Sequence, residues 1–146
     1  LNTDGNVLSA GLVVGLQGTA SGLFVGHEKD SNGYFNHAIT QQCVRAIAVN
    51  GMAVKKERFL KTNGWNEKLT AAQAGIQLCL ELQKNGDYVI FSPYAELYVE
   101  ETADSPHQIL IEDEEFQRQY GEMIKWDPYY NRNFDRNGEE FTLAYD

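Results

Sequence analysis

The stretch Leu69–Gly86, LTAAQAGIQLCLELQKNG, constrains the fold of this chain more than any other. Leu69, Ala72, Ile76, Cys79 and Leu80 recur at helical spacing, and Leu78 and Leu82 widen the apolar face. A helix with so broad an apolar face has to be buried against other elements. Thr70 and Gln73 have capping-box spacing, so the Thr70 hydroxyl can accept from the backbone N–H three residues on. Asn85-Gly86 supplies the stop. The head of this helix carries no charge, although the chain holds 21 acidic residues against 12 basic ones. Asp and Glu are favoured at a helix N-terminus, where free N–H groups and the macrodipole attract negative charge. The blank therefore needs a reason.

Around the helix the pattern is that of strands and turns. Asn6–Leu16 (NVLSAGLVVGL) is β-branched and apolar and predicts a strand leaving a turn. Residues 17–33 are rich in Gly, Ser and Asn and predict a loop with a short extended piece at Leu23–Val25. Cys43–Val54 is strand-like again, with Asn50-Gly51 as a bend or bulge. Lys55–Thr62 predicts a short helix with Phe59 facing inward, closed by NGWNE. Asp87–Glu101 predicts a strand interrupted by Pro93. Leu110–Trp126 predicts a second long helix, acidic in front and basic at Lys125. Its packing candidates are Phe116, Tyr120, Met123 and Ile124, with Ile111, Glu115, Arg118 and Glu122 at outer or flanking positions. The tail is aromatic and turn-rich. With no repeat, linker or low-complexity block in 146 residues, the expectation is one domain, 1–146, of α/β class, a mixed β-sheet with flanking helices.

Charge and composition exclude several function classes. A net charge of −9 without a Lys/Arg-rich run argues against a phosphate-tracking groove, and so against a nucleic-acid partner. No apolar run approaches the ~20 residues that span a bilayer, and no signal peptide opens the chain. These two absences predict a cytoplasmic protein, with the inner face of the membrane as a further location. Cys43 and Cys79 lack CxxC or Cys/His spacing and read as buried thiols, with a disulfide between them as the alternative. The chain starts at Leu1 without an initiator Met, which predicts a piece of a longer protein.

Local motifs do not settle the chemistry. His27, His37 and His107 are scattered, without HxH or HExxH spacing, so no metal site is predicted. Gly11, Gly15, Gly18 and Gly22 form neither GxGxxG nor a Walker loop. Glu100 and Glu101 are adjacent, and neighbours in a strand point to opposite faces. Glu112–Glu115 sits in a first helical turn, where acids are stabilising without any function. The tyrosines of DPYYN could stack on a sugar ring or simply pack the tail.

Five segments, taken in order, carry a resemblance. SAGLVVGLQGTASGLF is similar to H-A-G-V-V-I-G-L-G-G-V-A-G-H-A-F, and AIAVNGMAVKKERF to A-V-T-G-A-C-M-L-V-R-R-E-L-F. NGWNEKLTAAQAGIQLCLEL lies without a gap on G-G-F-D-E-x-L-x-V-A-F-N-D-V-D-L-C-L-R-L. SPYAELYVEET matches T-P-Y-A-E-L-Y-H-H-E-S, and DPYYNRNF matches D-P-Y-Y-N-P-N-L. Over nearly its whole length the chain thus resembles the C-terminal half of inverting family 2 glycosyltransferases of bacterial surface-polysaccharide clusters. The resemblance implies the acceptor-side half of a GT-A fold, with the nucleotide-binding half outside these residues. In the family the cofactors are a nucleotide sugar and a divalent metal, Mg or Mn; for this chain none is expected.

An inverting transfer needs a carboxylate that deprotonates the acceptor hydroxyl as it attacks. The family's base, an Asp at the head of the long helix, falls on Gly75, preceded by Ala74, and its second Asp falls on Gln77. The His pair after ELY falls on Val99 and Glu100, the early histidines on Ser9 and Gly22, and the Thr-Gly of the acceptor loop on Ala48 and Val49. Gly11, Gly15, Phe59, Gly64, Leu78, Cys79, Leu80, Pro93, Tyr94 and Leu97 match. Structural positions that match beside chemical positions that do not imply a domain kept for its fold and released from catalysis. Two other readings stay open: a non-catalytic glycan-binding or scaffolding module, and an active sugar transferase completed by upstream sequence. The latter would use Glu100, Glu101 or Asp104 as substitute carboxylates. Candidates for sugar stacking are Trp65, Tyr94, Tyr98, Tyr129 and Tyr130, with Trp126 beside them. Expected partners are the rest of a longer glycosyltransferase polypeptide and a glycan acceptor. A half-domain could also expose a sheet edge and self-associate through it.

Overall fold

The computed structural model describes residues 1–16, 19–62, 64–100, 108–111, 114–137 and 140–144. The central helix forms as its pattern predicts: α2 spans Ala71–Lys84, ahead of α3 at Glu114–Ile124 and after the one-turn α1 at Lys56–Phe59. The α2 capping box is complete. Gln73 N–H donates to Thr70 Oγ1 at 3.3 Å, and Thr70 N–H donates to Gln73 Oε1 at 3.1 Å. Asn85 caps the other end and Gly86 follows in a left-handed conformation.

Two small sheets pack with these helices. Strands β1 (Leu12–Leu16), β2 (Thr19–Gly22) and β5 (Gln108–Leu110) form one, in the order β1-β2-β5, and β3 (Gln42–Cys43) pairs with β4 (Ile90–Phe91). Every strand pairing among the described residues is antiparallel, which corrects the expected mixed sheet. The α/β class itself stands.

β1 divides the core. Leu12 and Val14 point into a cluster with Ile76, Leu80, Phe116 and Tyr120 of the two long helices. Val13 points the other way, toward Phe24, Tyr130 and Phe134. Val14 pairs with Ala20 but Leu16 with Thr19, so Gly15 is one residue too many and forms a bulge. A bulge shifts the side-chain alternation by one, and Leu16 accordingly joins Val13 on the second cluster. Gly15 sits at φ +86°, and a β-carbon there would collide with the carbonyl oxygen of Ile124 at the end of α3. Only glycine lets helix and strand approach so closely.

The ends of several elements differ from the pattern-based expectation. The first strand begins at Leu12 rather than Asn6, although Asn6 makes a single bridge to Glu28. The expected loop 17–33 contains β2, and its predicted extended piece at Leu23–Val25 is instead a turn. Cys43–Val54 is strand only at its start; Val49–Gly51 is a short 3-10 helix. Of the expected strand Asp87–Glu101, whose last residue lies outside the described residues, only Ile90–Phe91 is strand among those described. Leu110 ends β5, and Ile111, expected outside, is buried in the first cluster. Phe116, Tyr120 and Ile124 are buried as expected, with Met123 partly so. The two cysteines are free: Cys79 is buried and Cys43 half-buried. β1's outer edge is occupied, by Ala46 O accepting from Leu12 N–H at 2.8 Å and by Asp127 Oδ2 accepting from Val14 N–H at 3.1 Å.

Candidate functional site

A cleft of about 540 Å³ opens at the head of α2. Its floor is Gly11, Leu12, Gly22 and Ile109 of the three-stranded sheet; one wall is the turn Ala48–Gly51 with Ala71 and Ala72 of α2. The opposite wall is Phe91, Ala95, Leu97 and Val99, closed by Leu1. Leu1 is held there because its amine donates to Leu97 O at 2.8 Å and Val99 N–H donates to Leu1 O at 2.9 Å. No Asp, Glu, Lys, Arg or His is among the described residues that line the cleft. Ser9, Asn50 and Ser92 are its polar side chains, and the Ser9 hydroxyl already donates to Gly11 O at 2.9 Å.

At Ala74 and Gly75 the blank at the head of α2 has a packing cause, while Ala71 is exposed and Ala72 and Gln73 half-buried. Ala74 and Gly75 are buried. A β-carbon at Gly75 would stand 3.1 Å from Val49 Cβ, 3.5 Å from Val49 Cγ2 and 3.6 Å from Met52 Cε. The turn that carries the acceptor-loop positions is thus seated directly on the helix, where a carboxylate has no room and no solvent. Gln77 is also buried and is used structurally. Its amide donates to Tyr120 Oη at 3.0 Å, and that hydroxyl donates to Glu81 Oε1 at 2.6 Å. Burial, with Glu81 second, pushes the Tyr120 hydroxyl up to about 12, and Lys84 Nζ lies 4.1 Å from its ring centroid. Burial likewise lifts the Cys79 thiol to about 11, so it behaves as a packing group.

A buried acid and a half-buried one sit elsewhere. Asp127, the Asp that opens the matched segment DPYYNRNF, accepts from Val14 N–H at 3.1 Å and Tyr129 N–H at 2.9 Å. Burial raises its carboxyl above the ordinary value, opposed by those two N–H groups and by Arg45 and Arg136. Arg45 Nη2 in turn donates to Met123 O at 2.7 Å, fastening the end of α3. Glu140 takes Phe24 N–H on both carboxylate oxygens, at 3.0 and 3.2 Å, and burial raises its carboxyl too.

The other candidate residues do not gather. Glu100 is exposed, and Glu101 and Asp104 lie outside the described residues. Among the described residues no group of three or more His, Cys, Asp and Glu side chains could hold a metal ion. His107 also lies outside them; His27 Nδ1 is 3.4 Å from Ser31 Oγ, and His37 packs edge-on to Phe141. Tyr130, offered as a stacking residue, is corrected: it is only 4% exposed and its hydroxyl accepts from Phe141 N–H at 2.8 Å. Trp126 has the Arg136 guanidinium 4.6 Å and the Arg132 guanidinium 5.3 Å from its ring centroid. Trp65 (41%), Tyr94 (83%), Tyr98 (59%) and Tyr129 (40%) are exposed, but none of them lines the cleft. No helix of the described residues is long and apolar enough to cross a membrane.

Comparison with known proteins yields one informative match. The chain is similar to the uncharacterized protein y4gI of Sinorhizobium fredii, 32% identical over 150 residues. The aligned part covers 97% of this chain but 16% of that protein, so the chain spans about a sixth of the curated relative's length. No family model matches the chain, and no solved structure matches it.

Proposed function

We propose that this chain is the acceptor-side half of a family 2 glycosyltransferase-like domain of GT-A fold, from a surface-polysaccharide biosynthesis protein, and that it has no transferase activity of its own. One observation carries the reading. Of the nine positions on which the family's chemical residues fall, Ser9, Gly22, Ala48, Val49 and Val99, from four parts of the sequence, line a single cleft, while Ala74, Gly75, Gln77 and Glu100 do not. Gly75, the position of the family's base, touches that cleft's wall through Val49. With Ala, Gly, Val and Ser there, no side chain at the five cleft positions is able to take a proton from a hydroxyl at neutral pH.

Two measurements test the reading. Incubated with a panel of nucleotide sugars and Mg²⁺ or Mn²⁺, the chain is expected to give no hydrolysis or transfer. Turnover above a protein-free control that disappears on Glu100→Gln or Glu101→Gln would overturn the claim of inactivity. The fold claim is tested by the experimental structure of the longer parent polypeptide. A Rossmann-like nucleotide-binding half preceding these residues is the expected result; an unrelated preceding domain would sink it.

A scaffolding role within that longer polypeptide is favoured by a separate observation. Tyr88, Ile90, Tyr94, Leu97 and Tyr98 are all exposed within one short segment, an apolar strip larger than a solitary surface requires.

A further inference from the structure

We propose that the turn after α3 binds an oxyanion of the phosphate class on the guanidinium groups of Arg132 and Arg136, beside Trp126. The inference goes beyond the glycosyltransferase reading: none of these three residues lines the cleft at the head of α2, and nothing in it depends on that descent.

Arg45 lies far from Arg132 and Arg136 in the sequence, so no Lys/Arg-rich run marks the place where the three meet. Two of them fix the backbone. Arg45 Nη2 donates to Met123 O at 2.7 Å and to Trp126 O at 3.5 Å, and Arg136 Nη1 donates to Lys125 O. Carbonyls at the end of a helix attract cations, and these bonds hold the turn that carries Trp126. Two guanidinium groups lie against the Trp126 ring, Arg136 at 4.6 Å and Arg132 at 5.3 Å from its centroid. The ring is 39% exposed, Arg132 is exposed and Arg136 half-buried. Packing against a fixed ring orients an arginine fork before any ligand arrives.

Donors outnumber acceptors here. Arg136 Nη2 is buried and has no hydrogen-bond partner. Arg132 makes no hydrogen bond or ion pair among the described residues. The acids of the region are spent on other groups. Asp127 accepts from Val14 and Tyr129 N–H, Asp135 accepts from Asn137 N–H at 2.9 Å, and Glu122 pairs with Lys125. Two like charges against one ring repel each other, and a buried N–H without an acceptor is costly. A ligand that only accepts, and is negative, answers both.

The count of charges selects among anions. A carboxylate brings one charge and two oxygens, enough for a single arginine fork. A phosphoryl group brings a charge of about −1.5 to −2 near neutral pH and three acceptor oxygens. It therefore matches two guanidinium groups. Arg132 offers its fork from the exposed side, and Arg136 adds its charge and the donor that the protein leaves unused.

The test titrates the 146-residue chain at neutral pH and constant ionic strength with inorganic phosphate, methyl phosphate, acetate and chloride, following the indole and arginine side-chain N–H signals by NMR. The chain has two tryptophans, so Trp126→Phe assigns both indole signals. Phosphate should move the Trp126 and Arg132 signals saturably and leave Trp65 in place, whereas screening acts on every exposed charge. Acetate should bind about tenfold more weakly, for want of the second fork. Arg132→Gln, at an exposed position, should weaken phosphate about tenfold or more, and Arg132→Lys should recover only part, because it keeps the charge without the fork. Arg136→Gln, which also gives up the bond to Lys125 O, is the second variant and weakens phosphate in the same direction. Methyl phosphate binding at least as well as phosphate upholds the site and assigns it to phosphate esters; weaker binding upholds it and assigns it to the free ion. Shifts that chloride reproduces, acetate binding as tightly as phosphate, or phosphate shifts that survive both glutamine variants would each overturn the proposal. Turnover of nucleotide sugars decides the glycosyltransferase reading and is untouched by any of these results.

Discussion

The two ends of the first core cluster treat carboxylates in opposite ways. At the head of α2 the wall is Ala74, Gly75 and Val49, all apolar, and the adjoining cleft has no acid among its described lining residues. At the end of α3, Asp127 is fully buried as an acid and holds Val14 and Tyr129 through their N–H groups. The difference lies in the backbone donors. Beside the β1 bulge, Val14 N–H has no strand partner on that edge, and an acid satisfies it. Around the cleft the turn and the capping box already pair their own donors. The buried acid Asp127 thus stands where a strand-edge N–H would otherwise lack an acceptor.

Removing the acid from the second region should have the largest effect. Asp127→Ala leaves two N–H groups without their acceptor and two nearby guanidinium groups without a counter-charge, a loss of about 2–5 kcal/mol. For a chain of this length that lowers Tm by roughly 5–15 °C, measurable by calorimetry or urea unfolding. Asp127→Asn keeps one acceptor oxygen and should lose about half as much. A loss below about 1 kcal/mol for the alanine variant would mean that water replaces the carboxylate there.

Adding an acid to the first region sharpens the contrast. Gly75→Asp forces atoms into the 3.1 Å gap to Val49 and buries a charge, a destabilisation of about 1–3 kcal/mol. Val49→Gly in the same chain removes the obstructing side chain, so the double variant should recover part of the loss, with a coupling of about 0.5–3 kcal/mol. If Gly75→Asp unfolds at the wild-type urea concentration, packing is not why the helix head is blank.

How much of this was legible in the sequence depended on range. The α2 capping box and its Asn85-Gly86 stop are local devices, and both formed as their spacing predicts. β2 was not legible, because its TASG has no β-forming character; it is a strand because β1 and β5 pair with it on both sides. β5 was hidden by Leu110 and Ile111, whose apolar run blends into the pattern of α3. At the site, the loss of acids at Ala74 and Gly75 could be seen in the sequence, but its packing cause could not, since Val49 comes from a distant turn. Asp127 stands in the matched segment DPYYNRNF, but its role was hidden because its partner Val14 lies 113 residues away. Tyr130 misled for the same reason: an aromatic tail looks alike whether its rings face solvent or core, and its hydroxyl bond to Phe141 N–H is tertiary.

The smallest effect is the pH dependence of the half-buried acid of the C-terminal region, Glu140. Glu140 grips Phe24 N–H with both oxygens, but burial outweighs that bond and raises its carboxyl above 4.5. A raised folded value means that the native state holds its proton more tightly than the unfolded chain does. The resulting stabilisation is full below 4.5 and is lost as pH rises through the folded value. Glu140→Gln cannot titrate and keeps one acceptor for Phe24. Its deficit against the wild type should therefore be greatest near pH 4 and shrink toward pH 7, read as the difference in urea midpoint across that range. A deficit that grows with pH instead would mean that the Phe24 N–H and the nearby His27 dominate over burial, making the ionised carboxylate the stabilising form.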